Sequence, residues 1–193
     1  MKITIMDTTL RDGEQTSGVS FSETEKLNIA KLLLEDIKID RIEVASARVS
    51  EGEFKGAQSI FQWAKDRDYL DRVEVLGFVD GRESLEWIRQ AGGRVINLLT
   101  KGSLKHCQLQ LRKTPEEHIA DIKNVLKEAD QMGIRANIYF EDWSNGMRNS
   151  PEYMHQMLDS LKSSNIDRFM LPDTLGILNH VEVYDYCYDM KQR

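Results

Sequence analysis

The chain has 193 residues, with 26 Lys and Arg against 32 Asp and Glu and a net charge of −6. That length holds one domain with a sizeable core. No basic block or aromatic-interleaved basic stripe points to nucleic acid, and no run approaches the roughly 18 apolar residues of a membrane span.

The N-terminus carries a strand pattern where a signal peptide would have a charged region and an apolar stretch. Cys107 and Cys187 form no Cys-x-x-Cys and no disulfide framework, and read as ordinary thiols of a reducing compartment. The expectation is a soluble, cytoplasmic, single-domain protein.

Ile3 and Ile5 mark a first β-strand, which leads into Met6-Asp7-Thr8-Thr9-Leu10-Arg11-Asp12-Gly13-Glu14-Gln15. Ser22-Glu23-Thr24-Glu25 is a capping box. It opens a helix over 23–37 with Leu27, Ala30, Leu33, Leu34 and Ile37 at helical spacing. A second strand follows over 41–45. Ser50-Glu51-Gly52-Glu53 then supplies a capping box for a helix from 51 to about 67.

The third strand covers 73–79, and the helix after Asp80-Gly81 carries Leu85, Ile88 and Ala91 before Gly92-Gly93 ends it. The fourth strand covers 95–99. Thr114-Pro115-Glu116-Glu117 joins a capping box to Pro at the first helical position, opening a helix that stops at Gly133. A fifth strand over 134–140, a helix from Ser150-Pro151, a sixth strand over 167–171 and a last helix capped by Asn179-His180-Val181-Glu182 complete the pattern.

This βαβα alternation implies an α/β fold with a parallel sheet and helices outside it. Six βα units fit two architectures: an open doubly wound sheet, or the first three quarters of a (β/α)8 barrel, which typically takes about 250 residues. Periodicity does not choose between them. In both, ligands bind at the C-terminal ends of the strands, where the Arg11 loop lies. Arg11 offers a charged fork of donors for a carboxylate or oxyanion, and Asp12 offers hard oxygen to a divalent cation.

Residues two apart on a strand share a face. Leu76 and Phe78, Asn97 and Leu99, and Tyr139 and Glu141 can therefore point inward together. The aliphatic members equally suit barrel filling. Glu141 among them needs a partner or a task.

The decapeptide ending in Arg11-Asp12-Gly13-Glu14-Gln15 resembles the signature of a metal-dependent barrel family. That family includes isopropylmalate, homocitrate and citramalate synthases and hydroxymethylglutaryl-CoA lyases. Ile42-Glu43-Val44-Ala45-Ser46-Ala47-Arg48-Val49-Ser50, Leu76-Gly77-Phe78-Val79-Asp80-Gly81, Leu98-Leu99-Thr100-Lys101-Gly102-Ser103 and Glu141-Asp142-Trp143-Ser144-Asn145-Gly146 are most similar to the citramalate synthase branch. The resemblance favours a (β/α)8 TIM barrel. Residues 1–193 would be the N-terminal portion of its catalytic domain, about six βα units, with strands seven and eight outside this chain.

It further implies a Claisen-type condensation of acetyl-CoA with a 2-oxo acid, pyruvate first, on a divalent metal ion (Mg2+, Mn2+ or Zn2+). Arg11 would polarise the reacting carbonyl, Asp12 bind the metal, and Glu141 act as base. Leu76, Phe78, Leu99 and Tyr139 would form the pyruvate pocket. Thr174 in Pro172-Asp173-Thr174-Leu175-Gly176 would hold the 2-oxo acid carboxylate, with Glu43 and Gln15 in support.

Many isopropylmalate synthases carry His at the place of Asn97 and Ser at that of Tyr139; a Tyr there fills the space of a branched substrate tail. The His-x-His pair that completes the family's metal site is absent from this sequence. Poor metal binding by the chain alone is the expectation, because such ions take about six donors. His106, in Ser103-Leu104-Lys105-His106, is either a functional contact or a solvated loop residue. His118, His155 and His180 are expected on helix surfaces.

Lys101, Lys105, Arg112 and Lys113 either steer CoA phosphates or form a solvated face, the commoner outcome. Family members imply a homodimer. Other readings are an isopropylmalate synthase, a hydroxyacyl-CoA lyase, and an inert truncated chain.

Overall fold

Strands with apolar residues on one face and polar residues on the other need helices outside and a filled interior. The computed structural model describes residues 3–193. Its strands are β1 (Met6–Asp7), β2 (Arg41–Ser46), β3 (Val73–Phe78), β4 (Val95–Lys101), β5 (Arg135–Glu141) and β6 (Arg168–Met170). They pair in parallel in the order β1-β2-β3-β4-β5-β6. Each strand lies beside its predecessor, so the sheet winds one way, whereas a doubly wound sheet reverses at a switch point. The architecture is a partial TIM barrel.

Helices α1 (Glu23–Lys31), α2 (Glu51–Asp66), α3 (Glu83–Ala91), α4 (Leu104–Leu109), α5 (Pro115–Gln131), α6 (Trp143–Asn149), α7 (Pro151–Leu161) and α8 (His180–Gln192) connect and follow the strands. Ile42, Val44, Val75, Ile96, Leu98, Ile138 and Phe140 are fully buried in one cluster with Ile60, Leu85, Ile88 and Ile122 of the helices. Each such side chain contributes about 1.5–3 kcal/mol relative to exposure. Among the described residues, no helix is long and apolar enough to cross a membrane.

Several sequence expectations change in the structure. Ile3 and Ile5 are 82% and 56% exposed, and the first strand is only Met6–Asp7, at a sheet edge. The first helix ends at Lys31 and widens into a π turn over Leu32–Asp36. The extra residue in that turn buries both Leu33 and Leu34 and leaves Leu32 and Ile37 exposed.

Ser22–Glu25, Thr114–Glu117 and Asn179–Glu182 form reciprocal capping boxes. Ser50 makes only half of one, because the Glu53 carboxylate turns instead to Lys26. The short α4 and α6 escape periodicity, which needs a longer window. His118 is buried at 1% exposure, not on the surface, since α5 turns it toward the end of β4. His155 is partly buried against Asp189 of α8, and His180 is exposed.

Candidate functional site

The Arg11 loop folds back on itself through the Thr8 carbonyl, which accepts from the N–H groups of Arg11, Asp12 and Gly13. This turn aims Arg11 into the barrel. Its Nε donates to Glu43 Oε2 at 2.5 Å and its Nη1 to Asp12 Oδ1 at 2.9 Å. Burial works against the Arg11 charge, and attraction to Glu43 and Asp12 outweighs it, raising the guanidinium pKa above its ordinary value.

Glu43 is fully buried beside a bulge in β2. Burial pushes its carboxyl above the usual range, while Arg11 and Asn97 pull the other way.

Beneath Arg11 the interior is polar. Asn97 Nδ2 donates to Glu43 Oε1 at 2.6 Å, and Asn137 Nδ2 donates to Asn97 Oδ1 at 2.8 Å. Arg41 Nη1 donates to both Glu74 oxygens, at 2.7 and 3.0 Å. Arg168 Nη1 reaches Asn137 Oδ1 at 3.4 Å. Asn137 Nδ2 also reaches Glu74 Oε2 at 3.4 Å, so two Arg–Glu pairs are bridged by two amides across β2 to β5, and the buried charges are paired as burial demands. Glu74, Asn137 and Arg41 were missed as sequence candidates. Their signal is a polar residue among the alternate, inward-facing positions of otherwise apolar strands.

Above this ladder lies a cavity of about 490 Å3. Thr8, Arg11, Asp12 and Gln15 line it from the β1 loop, Leu76 and Leu99 from β3 and β4, Tyr139 and Glu141 from β5, and Pro172, Asp173 and Thr174 after β6. Phe78 is the register partner of Leu99 but does not line the cavity, and Glu43 lies beneath it. Burial, with Glu43 adding to it, raises the Tyr139 phenol above its ordinary value, so it remains a neutral hydroxyl. Glu141 pairs with Lys101. Thr174 Oγ1 accepts from the Asp142 N–H at 3.0 Å, which leaves its own proton free to donate.

A second cleft of about 660 Å3 adjoins the first through Thr174, between α4 and α6. His106 lines it, with Nε2 3.5 Å from Asp142 Oδ2. It is the larger space, but Arg11, Glu141 and Tyr139 converge on the smaller one. Lys113, of the basic cluster after β4, pairs with Asp121.

Among the described residues no three His, Cys, Asp or Glu side chains converge on one point. Asp12 offers a single carboxylate, one oxygen of which Arg11 already engages. Asp173 across the cavity spends its oxygens on the N–H groups of Ile177 and Leu178. These residues do not by themselves fit a metal ion.

A family model described as HMGL-like matches residues 2–193. The chain is 32% identical over 178 residues to a putative (R)-citramalate synthase of Methanopyrus kandleri, covering 92% of this chain and 33% of that protein. It is 31% identical over 185 residues to a 2-isopropylmalate synthase of Saccharolobus solfataricus, covering 95% and 46%. The chain therefore spans between a third and a half of these curated relatives. The crystal structure of an HMG-CoA lyase of Bacillus subtilis superposes with a TM-score of 0.80 at 19% identity, covering all of this chain and 65% of that one. That likeness concerns the fold.

Proposed function

We propose a function from one premise: the chain belongs to the HMGL-like family. It is the N-terminal portion of a catalytic TIM barrel that condenses acetyl-CoA with a 2-oxo acid, and the acid is pyruvate, giving (R)-citramalate. The relatives' greater length supports the first part. The convergence of Arg11, Glu141, Tyr139 and Thr174 on one cavity carries the second.

In this reading Thr174 donates its hydroxyl proton to the 2-oxo acid carboxylate. Glu141 removes a methyl proton from acetyl-CoA. The resulting enolate carbon attacks the carbonyl carbon, and the electron pair moves onto oxygen, where Arg11 stabilises the oxyanion until it takes up a proton to become the hydroxyl and Glu141 gives up the one it removed. Water then cleaves the thioester and releases CoA. Asp12 would give one oxygen to a divalent ion whose other ligands come from elsewhere in a longer polypeptide, and the full-length protein is proposed to be a homodimer.

Leu76, Leu99 and Tyr139 wall the cavity, and Tyr139 occupies the volume a branched tail would need. The likeness to a named 2-isopropylmalate synthase supports a second reading, the same chemistry on 2-oxoisovalerate. Acetyl-CoA-dependent thiol release by the full-length polypeptide decides, with pyruvate, 2-oxoisovalerate and 2-oxoglutarate compared in Mg2+ or Mn2+. Preference for pyruvate is expected. Preference for 2-oxoisovalerate selects the second reading, and no thiol release with any acid sinks both.

A further inference from the structure

In the sequence Lys101 has no role of its own beyond a place in a resembling stretch and in a basic cluster. In the structure it is held on three sides. It is the register partner of Glu141 at the C-terminal ends of β4 and β5, and its Nζ pairs with Glu141 Oε2. Its backbone N–H donates to His118 Nε2 of α5 at 3.1 Å, and its carbonyl accepts from Tyr153 Oη of α7 at 2.8 Å. The next N–H, of Gly102, donates to the Glu141 carbonyl at 2.6 Å. A Cβ on Gly102 would run into the Phe140 carbonyl, so the two strand ends meet closely there.

We propose that Lys101 is the positioning residue for the Glu141 carboxylate. The inference rests on reading Glu141 as the base. Two outer helices lock the Lys101 backbone, and the ammonium reaches inward behind Glu141, which lines the cavity while Lys101 does not. One carboxylate oxygen is thereby occupied and the other left for the substrate methyl group. A loose carboxylate at this place would cost rate, since a misplacement of about 1 Å can lower turnover roughly 100-fold. His118 suits the clamp: burial, helped by Lys113, pushes its pKa down to about 4, so its ring stays a neutral acceptor.

The test is a double-mutant cycle in the full-length polypeptide, with acetyl-CoA and pyruvate as substrates. Lys101→Met is expected to lower kcat at least about tenfold with KM values within about twofold, and Lys101→Arg to restore most of the rate. In a Glu141→Gln background, Lys101→Met should slow turnover no further. A Lys101→Met enzyme with normal kcat, or additive losses in the double variant, overturns the proposal. Should Lys101→Met fail to fold, Lys101→Gln, which keeps a donor without the charge, is read the same way.

A Glu141→Gln enzyme with normal turnover overturns the base assignment and the inference with it. If Glu141→Gln is slow and Lys101→Met is not, only the inference falls. If the wild type condenses nothing, the Lys101 ammonium signal in 15N-lysine NMR still decides the pairing. Slow hydrogen exchange that is lost in Glu141→Gln supports the pair, and an unprotected wild-type signal overturns it.

Discussion

Arg11 and Glu43 stand 32 residues apart and meet with Nε 2.5 Å from Oε2, one on the loop after β1 and the other fully buried in β2. The guanidinium that faces the cavity is therefore aimed from below. Removing one partner of a buried pair leaves an uncompensated charge, which costs about 3–5 kcal/mol. Glu43→Ala should lower the unfolding free energy by about 3 kcal/mol in urea. It should also cut turnover of the full-length polypeptide by roughly 100-fold as Arg11 loses its orientation. An unchanged urea midpoint would mean the pair is solvated.

Tyr139 is the gate on substrate size in the proposed reaction. Each methylene admitted to or excluded from an apolar pocket changes discrimination by about 1–3 kcal/mol. Tyr139→Ser should raise kcat/KM for 2-oxoisovalerate relative to pyruvate by at least about tenfold. Competition between the two acids reads this directly, and an unaltered ratio removes Tyr139 from the specificity wall.

His118 couples stability to pH. Folded, it stays neutral down to about pH 4, because burial and Lys113 disfavour the imidazolium, against an ordinary value of 6.5. Between those values the unfolded chain binds the extra proton, so stability falls as pH drops from about 6.5 to about 4. The full difference is about 3 kcal/mol. Unfolding at pH 7 and pH 5 should show His118→Gln losing about 2 kcal/mol less than the wild type. Equal losses would show that His118 protonates freely in the fold.

Lys26 ties the Arg11 loop to the helices. It is buried, its Nζ lies 2.5 Å from Glu14 Oε2 and pairs also with Glu53, and Glu14 in turn accepts from the Phe21 N–H. Lys26→Met strands two carboxylates side by side. A loss of about 3 kcal/mol is expected, with faster amide exchange across residues 13–21. Exchange that stays at the wild-type rate would show that other contacts hold the loop.

The order of the six strands and of the longer helices was legible from the sequence alone, because periodicity, capping boxes and the glycines after helices are local signals, whereas the short α4 and α6 were not. Also legible was the gathering of Arg11, Asp12 and Gln15 with side chains from the ends of β3, β4 and β5 around one cavity, since alternation along a strand decides which residues share a face. Tertiary structure decided what those residues touch. Strand order chose the barrel over the doubly wound sheet, a matter of pairing between segments about thirty residues apart that no local pattern encodes. It also buried His118, set Phe78 aside from the cavity, joined Glu43 to Glu74 through Asn97 and Asn137, and turned Lys101 from a surface cation into the partner of Glu141. Each of these depends on long-range geometry, where a charged side chain finds its counter-charge on another strand and not along its own.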